Sequence, residues 1–235
     1  MKPKILAIVP ARAGSKRLPK KNTKILDGIP LIAHTFEAIN KSKFINMTVA
    51  TSDSQKVLEI SRKYSNVHPL ERPSELASDT ASMVDVVLHA VDFANQISNF
   101  DVVCVLQPTS PLRTYSDIDE AIKLFLEKKA KNVVSLTKCQ HSPLWTTPLE
   151  TETDFQLFMK GLTDTRSQDL KQFYQLNGAI YLIDTNELIR SKKLFLSSES
   201  YPFIMCPENS IDIDEILDFK LAELILRERK DGCNC

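Results

Sequence analysis

Residues 4–22 read KILAIVPARAGSKRLPKKN. An apolar run of strand type ends near Pro10, and the chain then gathers Arg12, Lys16, Arg17, Lys20 and Lys21 around a single glycine, Gly14. In α/β sheets ligands bind beyond the carboxyl ends of the strands, which is where a loop after the first strand lies. Ala13, Gly14 and Ser15 are small, so backbone N–H groups there can approach an oxyanion closely. Arg12 adds a forked donor and Lys16 a point charge. The spacing is not that of a Walker loop, and the five glycines of the chain form no G-x-G-x-x-G fingerprint. The stretch reads as a phosphate-binding turn of another kind, suited to a di- or triphosphate, with Lys20 and Lys24 as solvated charge.

Outward from this loop, strand-like runs alternate with helical patterns. PLIAHTFEAINKS (30–42) repeats apolar residues at helical spacing, NMTVATS (46–52) is a strand, and DSQKVLEISRKYS (53–65) is a helix with its N-cap at Ser52 or Asp53. A helix over about 82–96 leads to the strand DVVCVLQ (101–107); SDIDEAIKLFLEKKAK (116–131) is helical and NVVSLT (132–137) extended. NGAIYLID (177–184) resumes as a strand, and DEILDFKLAELILRERK (214–230) is an amphipathic closing helix. Strands apolar on both sides, separated by helices, predict a Rossmann-like, mostly parallel sheet with helices on both faces. The rhythm fails over residues 138–175, where Thr, Pro and Gln accumulate around the sole tryptophan, Trp145. The expectation is one domain, 1–235, with 138–175 as an excursion. Trp145, Phe155, Phe158 and Phe173 make that excursion a candidate dimerisation surface.

At 235 residues and 43% hydrophobic, the chain can bury a substantial core. Thirty basic residues offset thirty acidic ones, so nothing in the overall field points to nucleic acid or an anionic membrane. No window is apolar enough to span a bilayer, and the amino-terminal run lacks the features of a signal peptide. Of the five cysteines, Cys104 and Cys206 fall in apolar runs and read as buried free thiols, while Cys233 and Cys235 read as a frayed tail rather than a metal site. A reducing cytoplasm is the expected setting.

A second charged feature lies in ENSIDIDEILD (208–218). In a strand, Ile211 and Ile213 would share one face and Asp212 and Asp214 the other. Two carboxylates so placed converge on a hard divalent cation that also touches phosphate. Helix-dipole stabilisation accounts for Asp214 and Glu215 but not for Asp212, which sits between two isoleucines.

ARAGSKRLPKKN (11–22), ERPSELASDTAS (71–82), LQPTSPLR (106–113), LNGAIYL (176–182) and SIDID (210–214), in this order, resemble the acylneuraminate cytidylyltransferases, the CMP-sialic acid synthetases. The resemblance implies attack of a nine-carbon keto acid's anomeric hydroxyl on the α-phosphate of CTP, with release of pyrophosphate. It implies that Arg12, Ser15, Lys16, Lys21 and Asn22 hold the triphosphate and ribose, and that Arg72 and Ala81 surround the cytosine. On the sugar side it implies Gln107, Arg166, Asn177, Tyr181 and Phe195. It gives Asp212 and Asp214 the metal, Mg²⁺ or Mn²⁺ in its place, and makes Arg12 and Lys16 catalytic with them. It also implies a homodimer in which each site borrows residues from its neighbour. Tyr181 and Phe195 read equally as core aromatics, and Asn177–Gly178 as a turn signal. Gln175 stands where many relatives carry arginine, and Trp145 where some carry lysine, so the sugar acid is left open among sialic, legionaminic and related nonulosonic acids. A cytidylyltransferase for the eight-carbon acid of lipopolysaccharide shares the first loop, but SIDID and LNGAIYL favour the nonulosonic reading. A sugar-1-phosphate nucleotidyltransferase fits less well. A nucleotide-binding regulator without turnover would have little need for the two carboxylates.

Overall fold

The structure, a computed structural model, describes residues 2–78, 80–161, 166 and 169–230. Strand β1, Ile5–Pro10, is buried along its whole length and lies mid-sheet. Its alternate side chains feed two separate cores. Ile5, Ala7 and Val9 pack on one face with residues of α1 (Leu31–Lys41), α2 (Gln55–Ser61) and α5 (Tyr115–Glu127). Leu6 and Ile8 pack on the other with residues of α4 (Met83–Asn95) and α7 (Thr185–Ser191). The short α3 spans Ser74–Ala77.

The expected two-faced sheet is present, in the order β5-β4-β1-β6-β8-β7-β9. The strands are β4 (Ile45–Ser52), β5 (Val67–Glu71), β6 (Val102–Val105), β7 (Asn132–Lys138), β8 (Tyr174–Asp184) and β9 (Ser200–Ile204). All neighbouring pairs run parallel except those of β8, which is antiparallel to both β6 and β7. The two edge strands, β5 and β9, each contain a proline, Pro69 and Pro202. A missing N–H is tolerated where no further strand needs pairing. A small hairpin, β2 (Ile25–Leu26) with β3 (Ile29–Pro30), turns at Asp27–Gly28 with both φ angles positive, the conformation an Asp-Gly pair favours.

Helix α2 starts one to two residues later than its sequence signals. Ser54 is its N-cap, because Ser52 Oγ donates to the Ala11 carbonyl and Asp53 Oδ1 accepts from Ala13 N–H. Both side chains secure the basic loop instead. Residues 210–214 form no strand; a backbone bond from Ile213 N–H to the Thr109 carbonyl at 2.7 Å fastens the segment to the loop after β6. The alternation survives in part, with Ile213 fully buried and Ile211 half-buried. Cys104 is buried as expected, and burial pushes its thiol up to about 12. Cys206 is exposed, because it follows the end of β9 rather than lying within it. Cys233 and Cys235 lie outside the described residues. Helix α6, Glu152–Gly161, sits in the excursion and buries none of its side chains. The closing helix α8, Ile216–Lys230, buries Phe219 and Ala222 against Leu18, Leu26, Leu31, Leu112 and Ile213. Among the described residues, no helix is long and apolar enough to cross a membrane.

Helix α5 carries a complete capping box. Thr114 Oγ1 accepts from Asp117 N–H, and Asp117 Oδ2 accepts from Thr114 N–H. Replacing Thr114 by alanine is expected to lower stability by about 1 kcal/mol, read as a shifted urea midpoint at unchanged slope.

Candidate active site

β1 ends at Pro10, and the basic loop bends over a cleft of about 360 Å³ at the carboxyl end of the sheet. Its walls include Arg12, Ser15, Lys16, Arg17, Lys21 and Asn22 from the loop and Arg72 from beyond β5. Gln107, Pro108 and Thr109 follow β6, and Asp214 comes from the acidic segment. Eight of the residues singled out in the sequence thus share one cavity. A Cβ placed on Gly14 would meet no atom within 4 Å, so the loop is open at its glycine.

The basic loop and the acidic segment are in direct contact. Lys21, 9% exposed, donates from Nζ to the Ile213 carbonyl and to Asp214 Oδ1 at 3.0 Å. Arg17 Nη2 takes the other oxygen, Asp214 Oδ2, at 2.7 Å. Asn22 Nδ2 donates to the Arg12 carbonyl, and its buried Oδ1 has no partner among the described residues, an acceptor left over inside the loop. Arg72 is buried and donates from Nη2 to the Thr51 carbonyl at 2.9 Å. Burial lowers its pKa, Asp53 opposes the shift and Arg12 adds to it.

Asp212 does not line the cavity wall, but its Oδ2 lies 3.9 Å from where a Gly178 Cβ would sit, and Gln107 Oε1 lies 3.6 Å from the same point. Gly178 has φ +72, so a side chain there would be strained by the backbone, while its Cβ would only touch both groups at ordinary contact distance. Asp212 is open to solvent. Enough protein nonetheless surrounds its carboxyl for desolvation to raise the pKa; the Asp214 charge reinforces the shift and Lys21 opposes it. A carboxylate crowded by a second carboxylate and only partly offset by cations is a suitable donor for a hard divalent metal. Asp214, already shared by two cations, would have to divide its oxygens with the metal. The pair fits such an ion, although no cluster of three or more His, Cys, Asp or Glu occurs among the described residues.

The other expected sugar-side residues separate. Asn177 is buried and committed to the fold. Its Oδ1 accepts from Ser135 Oγ at 2.6 Å and from Ala179 N–H, and its Nδ2 donates to Ser210 Oγ at 3.0 Å. Tyr181, 7% exposed, meets Phe195 edge-on at 5.4 Å, and its hydroxyl pKa is raised by burial and then by the Asp212 charge. Phe195 lines a different cavity with Lys131, Glu187 and Arg190. Ala81 precedes α4, its N–H donating to the Ser78 carbonyl, two residues from the cleft-lining Met83. Arg166 is exposed on the excursion and does not line the cleft.

Two arginines gain a place that the sequence left unassigned. Arg17 was visible only as one charge of the basic run. Arg113, the last residue of LQPTSPLR, is 2% exposed and donates to the Gln107 and Ala179 carbonyls and to Thr35 Oγ1. Burial lowers its pKa to about 10, so it remains charged at neutrality.

A sheet whose central strand delivers an anion-seeking loop onto a cleft shared with carboxylates is the construction of domains that transfer nucleotides, and the class is that of an α/β nucleotidyltransferase. The solved CMP:2-keto-3-deoxy-manno-octonic acid synthetase complexed with CTP has the same fold. It matches with a TM-score of 0.70 over 96% of this chain and 99% of that one, at 14% identity. The model of the cytidylyltransferase family matches residues 6–205, and the chain belongs to that family. It is 34% identical to a CMP-N,N'-diacetyllegionaminic acid synthase of Legionella pneumophila, over 97% of this chain and 99% of that one. It is also 34% identical to an N-acylneuraminate cytidylyltransferase of Escherichia coli O18:K1:H7, where 97% of this chain covers 54% of the relative.

Lys21 is structural before any ligand arrives. Lys21→Met is expected to lower the stability of the ligand-free protein by about 2 kcal/mol, the scale of a lost charged hydrogen bond with a stranded acceptor. Lys20→Met, at an exposed neighbour, should stay within about 0.5 kcal/mol of the parent. Urea denaturation of both variants decides it.

Proposed function

We propose that this cytidylyltransferase joins CTP to a nonulosonic acid, sialic acid or a relative such as legionaminic acid, giving the CMP-sugar and pyrophosphate. The observation that carries this is the single cleft in which Arg12, Lys16, Arg17 and Lys21 meet Asp214 beside Gln107. The near-full-length similarity to a CMP-N,N'-diacetyllegionaminic acid synthase supports the sugar class. Arg12, Ser15, Lys16, Lys21 and Asn22 hold the triphosphate and ribose, and Arg72 with the backbone around Ala81 holds the cytosine. Gln107 faces the sugar acid next to Gly178 and Asp212.

The anomeric hydroxyl attacks the α-phosphate, the bond to pyrophosphate breaks, and a carboxylate of the Asp212–Asp214 pair takes the proton. Negative charge grows on the attacked phosphate and the leaving group, and the fixed cations of the loop meet it without reorganising solvent. Mg²⁺, or Mn²⁺ in its place, would be held by Asp212 and Asp214 and supply further charge neutralisation at the phosphate. A cytoplasmic setting belongs to the same reading, supported by the free thiols of Cys104, Cys139 and Cys206.

The working form in this reading is a homodimer built through residues 138–175. Its support is the excursion's surface. Leu144, Leu149, Phe155, Leu157 and Met159 are each at least half exposed, and α6 has no buried face. Arg166, away from its own cleft, would then serve the sugar acid in the partner's. Light scattering at micromolar concentration should return twice the chain mass; a monomer would remove the dimer from the scheme.

Pyrophosphate release from CTP with N-acetylneuraminic acid and with N,N'-diacetyllegionaminic acid is the direct test of function. Turnover should require a divalent cation and prefer CTP over UTP. Asp212→Asn should lower kcat by about a hundredfold or more while leaving CTP binding in place. Absence of turnover with either acid, or equal use of UTP, would defeat the reading.

A further inference from the structure

Among the described residues the buried Arg113 guanidinium hydrogen-bonds no carboxylate, although the Asp117 charge acts on it; its hydrogen bonds go to carbonyl and hydroxyl oxygens, and its Nε has no partner there. Burying a guanidinium is costly unless its geometry achieves something an apolar side chain would not. Its location indicates what that is. The antiparallel ladder between β6 and β8 ends at the pair Val105–Tyr181. Beyond that point the two chains carry Gln107 on one side and Gly178–Ala179 on the other, the groups that flank Asp212. Arg113 Nη1 spans this gap, donating to the Gln107 carbonyl at 3.1 Å and the Ala179 carbonyl at 2.8 Å. Nη2 is fixed by Thr35 Oγ1 of α1 at 2.9 Å, and Thr35 is itself buried. One planar group thus ties the chain after β6, the start of the buried part of β8, and a helix.

We infer that Arg113 is a positioning residue for the sugar acid, setting the placement of the Gln107 side chain against Gly178 and Asp212 by clamping the two backbones where the β6–β8 ladder has stopped. This rests on the reading that Gln107 faces the sugar acid. A methionine would fill the volume but leave both carbonyls without the shared donor. Lysine would keep the charge and a bond to one carbonyl, but it lacks the planar fork. Arg113 touches neither the basic loop nor Arg72 in its hydrogen bonds, so the nucleotide side should be spared.

The test is a double-mutant cycle with Gln107→Ala, Arg113→Met and the pair together, read by calorimetric CTP affinity and by kcat and KM for whichever of the two acids is turned over faster. Each single variant is expected to raise KM for the acid by about tenfold and to leave CTP affinity within about twofold. The pair should be no worse than Gln107→Ala alone, because Arg113 acts through Gln107. Multiplying effects, or equal losses for CTP and the acid, would overturn the inference and leave Arg113 a purely structural residue. A Gln107→Ala enzyme with unchanged KM would overturn the reading of Gln107 and the inference with it, an outcome distinct from failure at Arg113 alone. If Arg113→Met does not fold, Arg113→Lys carries the test. It should show the same split at smaller size, and an unchanged KM for the acid in that folded variant would overturn the inference.

Discussion

The Lys21 ammonium closes this structure. It lies 192 positions from the Ile213 carbonyl it holds, and the same nitrogen reaches Asp214. A cation this enclosed costs free energy unless oxygens replace its water, and here a carbonyl and a carboxylate do so. The bond has an apolar floor, because Ile213 packs with Leu18, Leu112 and Phe219. The opening loop, the loop after β6 and the closing helix therefore meet at one point. The cleft is the space left between the loop and the carboxylate segment, and its two sides are held in register by a bond that exists before any nucleotide is present.

A second tie runs through Asn177. From within β8, its amide links Ser135 at the irregularity in β7 to Ser210 at the head of the acidic segment. This couples LNG to SIDID through one buried side chain. The glycine beside it leaves the gap into which Gln107 and Asp212 face. The backbone around Gly178 thus rests on Asn177 and Arg113, whose hydrogen bonds are made inside the protein, while Gln107 and Asp212 lie beside the gap.

What the sequence revealed follows from how local each signal is. β1, β4, β6 and the helices α1, α4 and α5 were legible because apolar runs and helical spacing are carried within a dozen residues. β5 and β9 were missed because Pro69 and Pro202 argue against a strand anywhere but an edge, and edges are defined only by the finished sheet. The direction of β8 was invisible for a related reason: a strand buried on both faces has the same pattern whichever way it runs. The Asp27–Gly28 hairpin carried a readable signal in its dipeptide, but strands of two residues left no alternation beside it. In the site, charges in runs and motifs were found, whereas the roles of Asn177, Arg17 and Arg113 became visible only when their partners, far off in sequence, were seen. Ser52 and Asp53 show the same limit, since a good capping signal was diverted to secure a loop forty residues away.

The excursion departs and returns through ladder partners, Lys138 beside Tyr174, so the sheet closes beneath it. Its two ends are held one strand spacing apart whatever lies between them, and the entropy of closing such a loop grows only slowly with its length. The lobe is therefore an exchangeable part. It can lengthen, shorten or be rebuilt around a new contact while β7 and β8 keep their register and the nucleotide cleft its shape. Change in the excursion is thereby uncoupled from the register of β7 and β8, which gives this architecture room to diversify.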